Sequence, residues 1–509
     1  DVKNLAPSDL PKLAREIRSE LLDVVSRTGG HLASNLGVVE LTIALLRVFD
    51  PPTDKMVWDT GHQAYVYKLL TGRRELFQSL RRDDGCCGFL HREESPYDIF
   101  GAGHAGTAIS AATGIAAARD CENGTERVLA IVGEGGLCCG VSLEGINNII
   151  ESTRDFILVL NDNKMSIAPN VGALTRCLSR VISGEHYNRL KGFAAETVER
   201  IPMLGKRLRE GVRRVEEAAK GVLVPGQIFE ELGLRYFGPL DGHDLDELID
   251  TFRNVKRLRE PVILHVLTAK GRGYPHAEKA PEEYHGMSTF DVASGMTAKA
   301  DVAKDTRKVA FSDAMGNCLH RSMKANARVT AITAGMCSGT GLKQIREDFP
   351  RRFHDVGIAE EHAVVFAAGL ATAGWRPVVA IYATFMQRAM DCVFHDVCLQ
   401  NLPVVFCLDR SGVVDDGPTH HGIQDLSFWR ALPNLKILQP ADVQDLEQMM
   451  ALMLSHDGPV MMRYPKGDAG ALDVAERTPV EWGRAEVLRK GGDVALWCVG
   501  RESAAGLRA

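Results

Sequence analysis

The sequence predicts an α/β protein with two domains, each a mostly parallel sheet flanked by helices. Short apolar runs of strand length alternate with segments of helical spacing from about residue 128, and the same alternation starts again near residue 309. Between the two patterns, residues 277–307 are polar and contain Pro281, Gly286 and Gly295, which is typical of a linker. A chain of 509 residues is long enough for roughly two to four domains.

Composition and charge narrow the class of protein. Hydrophobic residues make up 45% and charged residues 25%, as in ordinary globular proteins. A net charge of −6 favours neither a nucleic-acid partner nor an anionic membrane partner. The twelve cysteines include no C-x-x-C spacing, which argues against zinc and fits a reducing compartment. Without a signal-peptide segment or an apolar run of about 18 residues, the chain is interpreted as cytoplasmic, with no membrane partner.

The first elements are helices separated by glycine-rich loops. Apolar periodicity predicts helices at residues 10–28, 39–49 and 108–119, and a strand at residues 56–58. The loops between them are His31–Gly37, a stretch with Gly61 and His62, and Gly101–Thr107.

A βαβ unit follows between Arg127 and Ile167. A strand at 128–132 runs into a sharp turn at Gly133–Gly136, a helix covers 142–150, and a strand at 156–160 ends in Asn161-Asp162-Asn163. Glu134 and Asn163 therefore follow parallel strands at the same edge of the sheet. A carboxylate and an amide oxygen are hard ligands suited to Mg²⁺, and the glycines let backbone N–H groups approach an anion. The unit predicts a site for Mg²⁺ and a diphosphate.

Later segments complete the second domain. Residues 175–221 are charged and helical in spacing, and both solvated helices and a mobile flap near a site remain open. Predicted strands are 262–267 in the first domain and 330–333, 378–381, 404–408, 436–438 and 460–464 in the second. Residues 486–500 start a further element, with a turn at Gly491-Gly492 and an apolar run from Val494 to Val499.

Seven motifs carry a resemblance to a known family. They are WDTGHQAY (58–65), LNDNKMSI (160–167), GPLDGHD (238–244), KGRGY (270–274), IAEEHAV (358–364), TFMQRAMD (384–391) and DRSGVV (409–414). Together they resemble the 1-deoxy-D-xylulose-5-phosphate synthase family, thiamine-diphosphate enzymes related to transketolase and pyruvate dehydrogenase. The resemblance implies a diphosphate-binding domain at 1–300, including the mobile helical segment 175–221, and a pyrimidine-binding domain at 301–480. Residues 481–509 would begin a third, C-terminal α/β domain that is largely missing.

The resemblance also implies an activity. The enzyme would be a transferase that decarboxylates pyruvate and joins the remaining two carbons to D-glyceraldehyde 3-phosphate. The products would be 1-deoxy-D-xylulose 5-phosphate and CO₂, in the first step towards isoprenoid precursors, which also feeds thiamine and pyridoxal synthesis. Thiamine diphosphate and Mg²⁺ are the implied cofactors, and a homodimer is the implied assembly.

Cofactor residues carry over from the motifs. Glu360 would hydrogen-bond N1′ of the pyrimidine, and Phe385 would stack on that ring. Glu134, Asn163 and the Met165 carbonyl would hold the metal. The diphosphate end would be contacted by His62, Gly103, His104, Ala105, Gly135, Gly136, Lys270 and Tyr274.

Substrate residues carry over in the same way. His31, His104 and His285 would move protons near the reacting carbons. Ser34 would also bind substrate, Tyr382, Arg388, Arg410 and Lys466 would hold the aldehyde phosphate, and Asp416 and His420 would bind its hydroxyls.

The sequence departs from the family pattern at the cofactor and phosphate sites. Glu134 replaces an aspartate, Gly136 an alanine, Ala105-Gly106 a pair of serines, and Lys466 an arginine. These departures leave open a divergent or non-catalytic paralogue, and a transketolase-type enzyme with another aldehyde acceptor. A third alternative is a nicotinamide enzyme, because Gly101-x-Gly103-x-x-Gly106 fits the dinucleotide fingerprint.

Overall fold

A computed structural model of the chain describes residues 2–163, 165, 172–174, 176, 226–297, 309–474 and 476–509. The predicted helical segment 175–221 lies outside these residues, apart from Arg176. The chain forms two compact units. The first unit comprises Asp1–Val24, His31–Phe77 and Phe89–Gly286, and the second comprises Val25–Gly30, Gln78–Gly88 and Met287–Ala509.

The first unit contains a five-stranded parallel sheet. Its strands are β1 (Lys55–Trp58), β2 (Val128–Gly133), β3 (Phe156–Asp162), β4 (Arg235–Asp241) and β5 (Pro261–Leu267). Their order is β1-β2-β3-β5-β4. Because every pair is parallel, all carboxyl ends lie at one edge, which is where ligands bind in such sheets. All seven residues of β3 are buried, which explains its continuous apolar run.

Helices cover this sheet. They are Leu10–Thr28, Ala33–Gly37, Val39–Val48, Tyr65–Leu70, Arg74–Phe77, Ala108–Cys121, Glu134–Leu137, Gly140–Ser152, Gly226–Glu231, Leu245–Arg257 and Pro275–Lys279. Two local predictions need correction. The loop His31–Gly37 contains a short helix, Ala33–Gly37, and the sharp turn at Gly133–Gly136 is largely one helical turn, Glu134–Leu137.

The second unit contains a six-stranded parallel sheet. Its strands are β6 (Val329–Thr333), β7 (Phe353–Asp355), β8 (Arg376–Tyr382), β9 (Val405–Asp409), β10 (Lys436–Leu438) and β11 (Val460–Arg463). Their order is β10-β11-β9-β8-β6-β7. Alternate residues of β8 enter two separate apolar cores: Val378 and Ala380 join one, Val379 and Ile381 the other.

Helices pack on both faces of the second sheet. The helices of the second unit are Phe311–Ala325, Lys343–Asp348, Glu360–Thr372, Ala383–Met386, Met390–Cys392, Asp425–Trp429, Val443–Ser455 and Glu502–Arg508, with a π-helical stretch at Val393–Cys398. None of the described helices is both long and apolar enough to cross a membrane.

The predicted strands are confirmed, with two additions. The sequence prediction missed β4, which is mostly half-buried and contains Gly238-Pro239, and β7, which is only three residues long. No strand precedes Gly101, since residues 86–100 are irregular, so the dinucleotide-binding alternative loses its structural basis. Residues 494–499 form no strand, and Val494, Leu496 and Trp497 are exposed.

Candidate cofactor and substrate sites

The carboxyl edge of the first sheet gathers most of the predicted diphosphate residues. His62 follows β1, Glu134 follows β2, Asn163 follows β3 and Lys270 follows β5. Since β1, β2, β3 and β5 are successive neighbours in the sheet, four polar groups that are distant in sequence are ordered along one edge.

Glu134 is the first residue of the helical turn and is 1% exposed. Its Oε2 accepts a hydrogen bond from the Asn163 backbone N–H at 3.0 Å, and Asn163 Oδ1 accepts one from Met165 N–H at 3.1 Å. Burial, and next the negative charge of Asp162, raise the pKa of the Glu134 carboxyl to about 8. A carboxylate in this position would gain from a cation, so the donor set fits a divalent metal.

Beside Glu134 lies a chain of polar side chains that the sequence prediction missed, buried at Asp162 and His265 and half-buried at Tyr236. His265 Nε2 lies 2.9 Å from Asp162 Oδ2, and the Tyr236 hydroxyl lies 2.8 Å from His265 Nδ1. Because the carboxylate can only accept, Nε2 carries the hydrogen and Nδ1 accepts from the tyrosine. This arrangement orients Asp162 beside Glu134.

Asp59, a residue of the motif at 58–65, organises the glycine loop. Its carboxylate accepts hydrogen bonds from Gly106 N–H at 2.8 Å and from Ala108 N–H at 3.2 Å, at the start of the helix Ala108–Cys121. A Cβ at Gly136 would collide with the same carboxylate. The glycine turn therefore approaches Asp59 more closely than an alanine could.

Four histidines were predicted to act in catalysis or cofactor binding, and three of them lie close together. The ring centroids of His31, His62 and His285 are 5.1 to 5.5 Å apart. Burial, and then the neighbouring Lys270, His62 and His31, keep the pKa of His285 well below its usual value. Its Nδ1 is buried and has no hydrogen-bond partner within the described residues. The buried Nδ1 of this neutral imidazole can form a hydrogen bond with a bound molecule.

Asn35 fixes the cluster and was also missed by the sequence prediction. Its Nδ2 donates to the carbonyls of His31 and His62, both at 2.7 Å, and its Oδ1 accepts from Tyr65 N–H at 2.8 Å. One fully buried amide thus joins the two histidine-bearing loops.

The remaining predicted residues of the first unit lie in loops, except Ser34, which lies in a short helix. Lys270 is 7% exposed, and burial lowers its pKa to about 8. Ser34 lies in the buried helix Ala33–Gly37, and its Oγ has no partner among the described residues. Tyr274 packs edge-on against Tyr284, with ring centroids 5.7 Å apart. His104 and Gly103 lie in the loop that Asp59 holds at Gly106.

In the second unit, Glu360 begins the helix Glu360–Thr372, and its side chain is 2% exposed. Its Oε2 lies 3.7 Å from Arg388 Nη1 and accepts no hydrogen bond from the described residues. Burial raises the pKa of Glu360 to about 7, against the opposing effect of Arg388. A buried carboxyl poised near neutral pH can exchange a proton with a bound heterocycle.

One predicted phosphate-binding residue, Arg410, lies against another, Tyr382, at the end of β8. The Arg410 guanidinium lies 3.7 Å from the Tyr382 ring centroid and donates to the Gly339 carbonyl at 3.1 Å. Phe385 stacks near Tyr382 and meets His420 edge-on at 5.3 Å. Aromatic faces and a guanidinium are thus presented together at the carboxyl edge of the second sheet.

Two other predicted substrate residues already have partners within the protein. Lys466 Nζ lies 2.8 Å from Asp415, and Asp416 lies 2.9 Å from Arg81. The Lys466 side chain is 43% exposed, so its ion pair is weak and exchangeable. The role of Lys466 in holding phosphate stays a prediction.

Two family models match the chain, and together they assign it to the transketolase-like transferases. Residues 307–470 match the family model described as "Transketolase, pyrimidine binding domain". Residues 1–268 match the model described as 1-deoxy-D-xylulose-5-phosphate synthase, and the chain belongs to that family.

Curated relatives agree with the family models. The chain is 48% identical over 502 residues to 1-deoxy-D-xylulose-5-phosphate synthase 1 of Geobacter sulfurreducens, covering 98% of this chain and 78% of the relative. The 1-deoxy-D-xylulose-5-phosphate synthases of Syntrophus aciditrophicus and Methylacidiphilum infernorum are 47% and 48% identical. Those alignments cover 98% of this chain and 77% and 78% of the relatives.

Proposed function

We propose that this chain decarboxylates pyruvate and transfers the remaining two-carbon unit to D-glyceraldehyde 3-phosphate, giving 1-deoxy-D-xylulose 5-phosphate and CO₂. The relatives at 46 to 48% identity carry the name of this synthase over nearly the whole chain. In this proposal the product feeds isoprenoid precursor, thiamine and pyridoxal synthesis. One observation supports the assignment of this chemistry to particular residues. The Glu360 carboxyl is buried, and its Oε2 accepts no hydrogen bond from the described residues.

The residues present fit thiamine diphosphate and Mg²⁺. When bound, the cofactor supplies the electron sink that lets pyruvate lose CO₂ and lets the remaining carbons bond to an aldehyde. Glu134, the Asn163 side chain and the Met165 carbonyl are the proposed metal ligands. Lys270 and His62, with the amides of Gly103, His104, Ala105, Gly135 and Gly136, are the proposed diphosphate contacts, and Tyr274 also lines this end.

Glu360 is the proposed proton carrier. Its carboxyl would hold a proton at N1′ of the pyrimidine ring, and its pKa near 7 suits it to share that proton at neutral pH. Phe385, partly buried against the apolar core, would cover the ring face and exclude water.

The substrate residues have distinct proposed roles. His31, His104 and His285 would move protons near the reacting carbons, and Ser34 would bind substrate. Arg410, Tyr382, Arg388 and Lys466 would bind the aldehyde phosphate, with Asp416 and His420 at its hydroxyls. The guanidinium of Arg410, already oriented over Tyr382, suits a bidentate phosphate contact.

The test is CO₂ release from pyruvate with thiamine diphosphate and Mg²⁺, measured with and without glyceraldehyde 3-phosphate. We expect release that requires the cofactor and rises with the aldehyde, with 1-deoxy-D-xylulose 5-phosphate as product. Glu360→Ala should abolish turnover, whereas Glu361→Ala, the matched control one residue along the helix, should retain it. If wild type retains cofactor binding but releases no CO₂, the non-catalytic paralogue is correct. If another aldehyde is the better acceptor, the transketolase-type alternative is correct.

The assembly, compartment and domain plan remain proposals as well. We propose a homodimer, to be checked by light scattering, and a cytoplasmic enzyme, in keeping with the family resemblance and with twelve cysteines that include no C-x-x-C spacing. We also keep the domain plan of residues 1–300 for the diphosphate, 301–480 for the pyrimidine and 481–509 as the start of a third domain.

A further inference from the structure

The motif at residues 238–244 has no part in the site described above, although it is among the most distinctive stretches of the sequence. The structure gives its histidine two partners. His243 Nδ1 lies 3.1 Å from Glu40 Oε2, and His243 Nε2 lies 2.9 Å from the Ala269 backbone nitrogen. Ala269 directly precedes Lys270, the proposed diphosphate lysine.

The direction of these bonds follows from the donors available. A backbone N–H can only donate, so His243 Nε2 must accept from Ala269. The other ring nitrogen then carries the hydrogen and donates it to the Glu40 carboxylate. His243 is therefore a neutral imidazole in one defined tautomer, set by Glu40.

Glu40 is held on its other side by Arg18. Arg18 Nη1 donates to Glu40 Oε1 at 2.6 Å and Nη2 donates to Oε2 at 2.8 Å, a two-pronged ion pair with side chains only 11 to 12% exposed. Burial acts to raise the pKa of Glu40, but the hydrogen bonds from His243 and Arg18 outweigh it and bring the pKa to about 2. The carboxylate is therefore charged throughout the neutral range.

Arg18 also contacts the far end of the loop that contains Lys270. Its Nε donates to the Arg272 carbonyl at 3.0 Å, and a Cβ at Gly273 would lie 2.9 Å from Arg18 Cδ. The loop from Ala269 to Gly273 is thus attached at its start through His243 and at its end through Arg18. Both attachments meet at Glu40, which belongs to the helix Val39–Val48.

We propose that Arg18, Glu40 and His243 form a positioning network that sets the Lys270 ammonium group for an anionic diphosphate. The inference rests on the proposed function, because it takes Lys270 to contact that group. None of the three residues would touch the ligand. Their effect would come through the backbone of the loop. Displacement of a positioned group by about 1 Å can lower an enzyme's reaction rate by about a hundredfold.

The experiment is calorimetric titration of Mg²⁺-thiamine diphosphate into wild type, His243→Phe, His243→Gln and Glu40→Gln, with His91→Phe as a control at an exposed histidine of the same unit. The His243→Phe substitution removes both ring nitrogens, and we expect its Kd to rise by about ten- to a hundredfold, as for other residues that orient ligands from behind. His243→Gln keeps an acceptor and a donor and should restore affinity to within about threefold of wild type, since the rescued hydrogen bonds are the proposed cause. Glu40→Gln should weaken binding in the same direction.

A double variant separates positioning from general destabilisation. If His243 acts through Lys270, the His243→Phe substitution should add nothing to the loss of affinity already caused by Lys270→Ala. A full further loss in the Lys270→Ala background, or a Kd unchanged in folded His243→Phe, would overturn the inference. If His243→Phe does not fold, wild-type affinity in Glu40→Gln would overturn it. Absence of binding by wild type would refute the proposed function itself, which distinguishes the two failures.

Discussion

Replacing Glu360 by glutamine should stabilise the protein while it removes the activity. The carboxyl is almost fully buried, and burial is the dominant influence that raises its pKa from 4.5 to about 7. Glutamine has the shape of the protonated acid and carries no charge that must be desolvated. The loss of the proton carrier would end turnover under the proposed function, so stability and activity should change in opposite directions.

The size and the pH dependence of this effect follow from linkage. Because the folded state binds the proton more tightly than the unfolded chain, the wild type loses stability as pH rises from 4.5 to about 7, and loses no more above that. At about 1.36 kcal/mol per pH unit, the full difference is about 3 kcal/mol at pH 8, and about 1.4 kcal/mol near pH 5.5. The advantage of Glu360→Gln should therefore grow by about 2 kcal/mol between these two values.

Urea titrations of both proteins without added cofactor, near pH 5.5 and pH 8, would measure this difference. In thermal unfolding the advantage at pH 8 corresponds to about 6 to 12 °C for a unit of this size. Glu361→Gln, which removes the same charge from the next residue of the helix, is the matched control. Equal stability of Glu360→Gln and wild type at pH 8 would refute the reasoning, because it would mean that the folded protein does not penalise the ionised Glu360.

Three other changes test the remaining parts of the site. Glu134→Gln should weaken metal-dependent thiamine-diphosphate binding by tenfold or more, about 1.4 kcal/mol, and a variant equal to wild type in Mg²⁺ would exclude Glu134 as a metal ligand. Arg410→Ala should raise the KM for glyceraldehyde 3-phosphate by a factor that corresponds to about 1.5–3 kcal/mol of lost binding free energy, and it should leave cofactor affinity unchanged. An equal rise in KM for a non-phosphorylated aldehyde would contradict a phosphate contact. Gly106→Ala should destabilise the protein by about 1–3 kcal/mol or more, because its φ is +90° and its new Cβ would lie 2.6 Å from Cys139 Cβ. Gly114→Ala, on the adjoining helix with open space around it, is the control in urea unfolding and should be neutral or stabilising.

The fold could be predicted from the sequence wherever a strand was buried on both faces. Residues 128–132 and 156–160 are continuous apolar runs because β2 and β3 lie inside the sheet with helices on both sides, and such runs are hard to mistake. In contrast, β7 has three half-buried residues at the edge of its sheet, so no apolar pattern marked it. The short helix Ala33–Gly37 has too few residues to show a period.

Parts of the candidate site could not be predicted because they depend on pairs far apart in sequence. The sequence indicated Glu134 and Asn163 from their places after two strands, and in the structure the two residues are in contact. Nothing in the sequence indicated that Asn35 would bridge the carbonyls of His31 and His62, because the sequence does not distinguish a buried, hydrogen-bonded asparagine from a solvated one. The partnership of Asp162 and His265, 103 residues apart, depends on the pairing of β3 with β5.

The departures from the family pattern at the first site are connected by packing. Gly106 is required here because the Cys139 side chain occupies the space that a larger residue would need, and Ser142 Oγ joins the two loops through the carbonyls of Gly106 and Gly136. Gly136 is required because it approaches the Asp59 carboxylate, which in turn holds Gly106. Packing therefore joins Gly106, Gly136 and Asp59 in one arrangement, so a side chain added at either glycine would disturb the loop that holds the other.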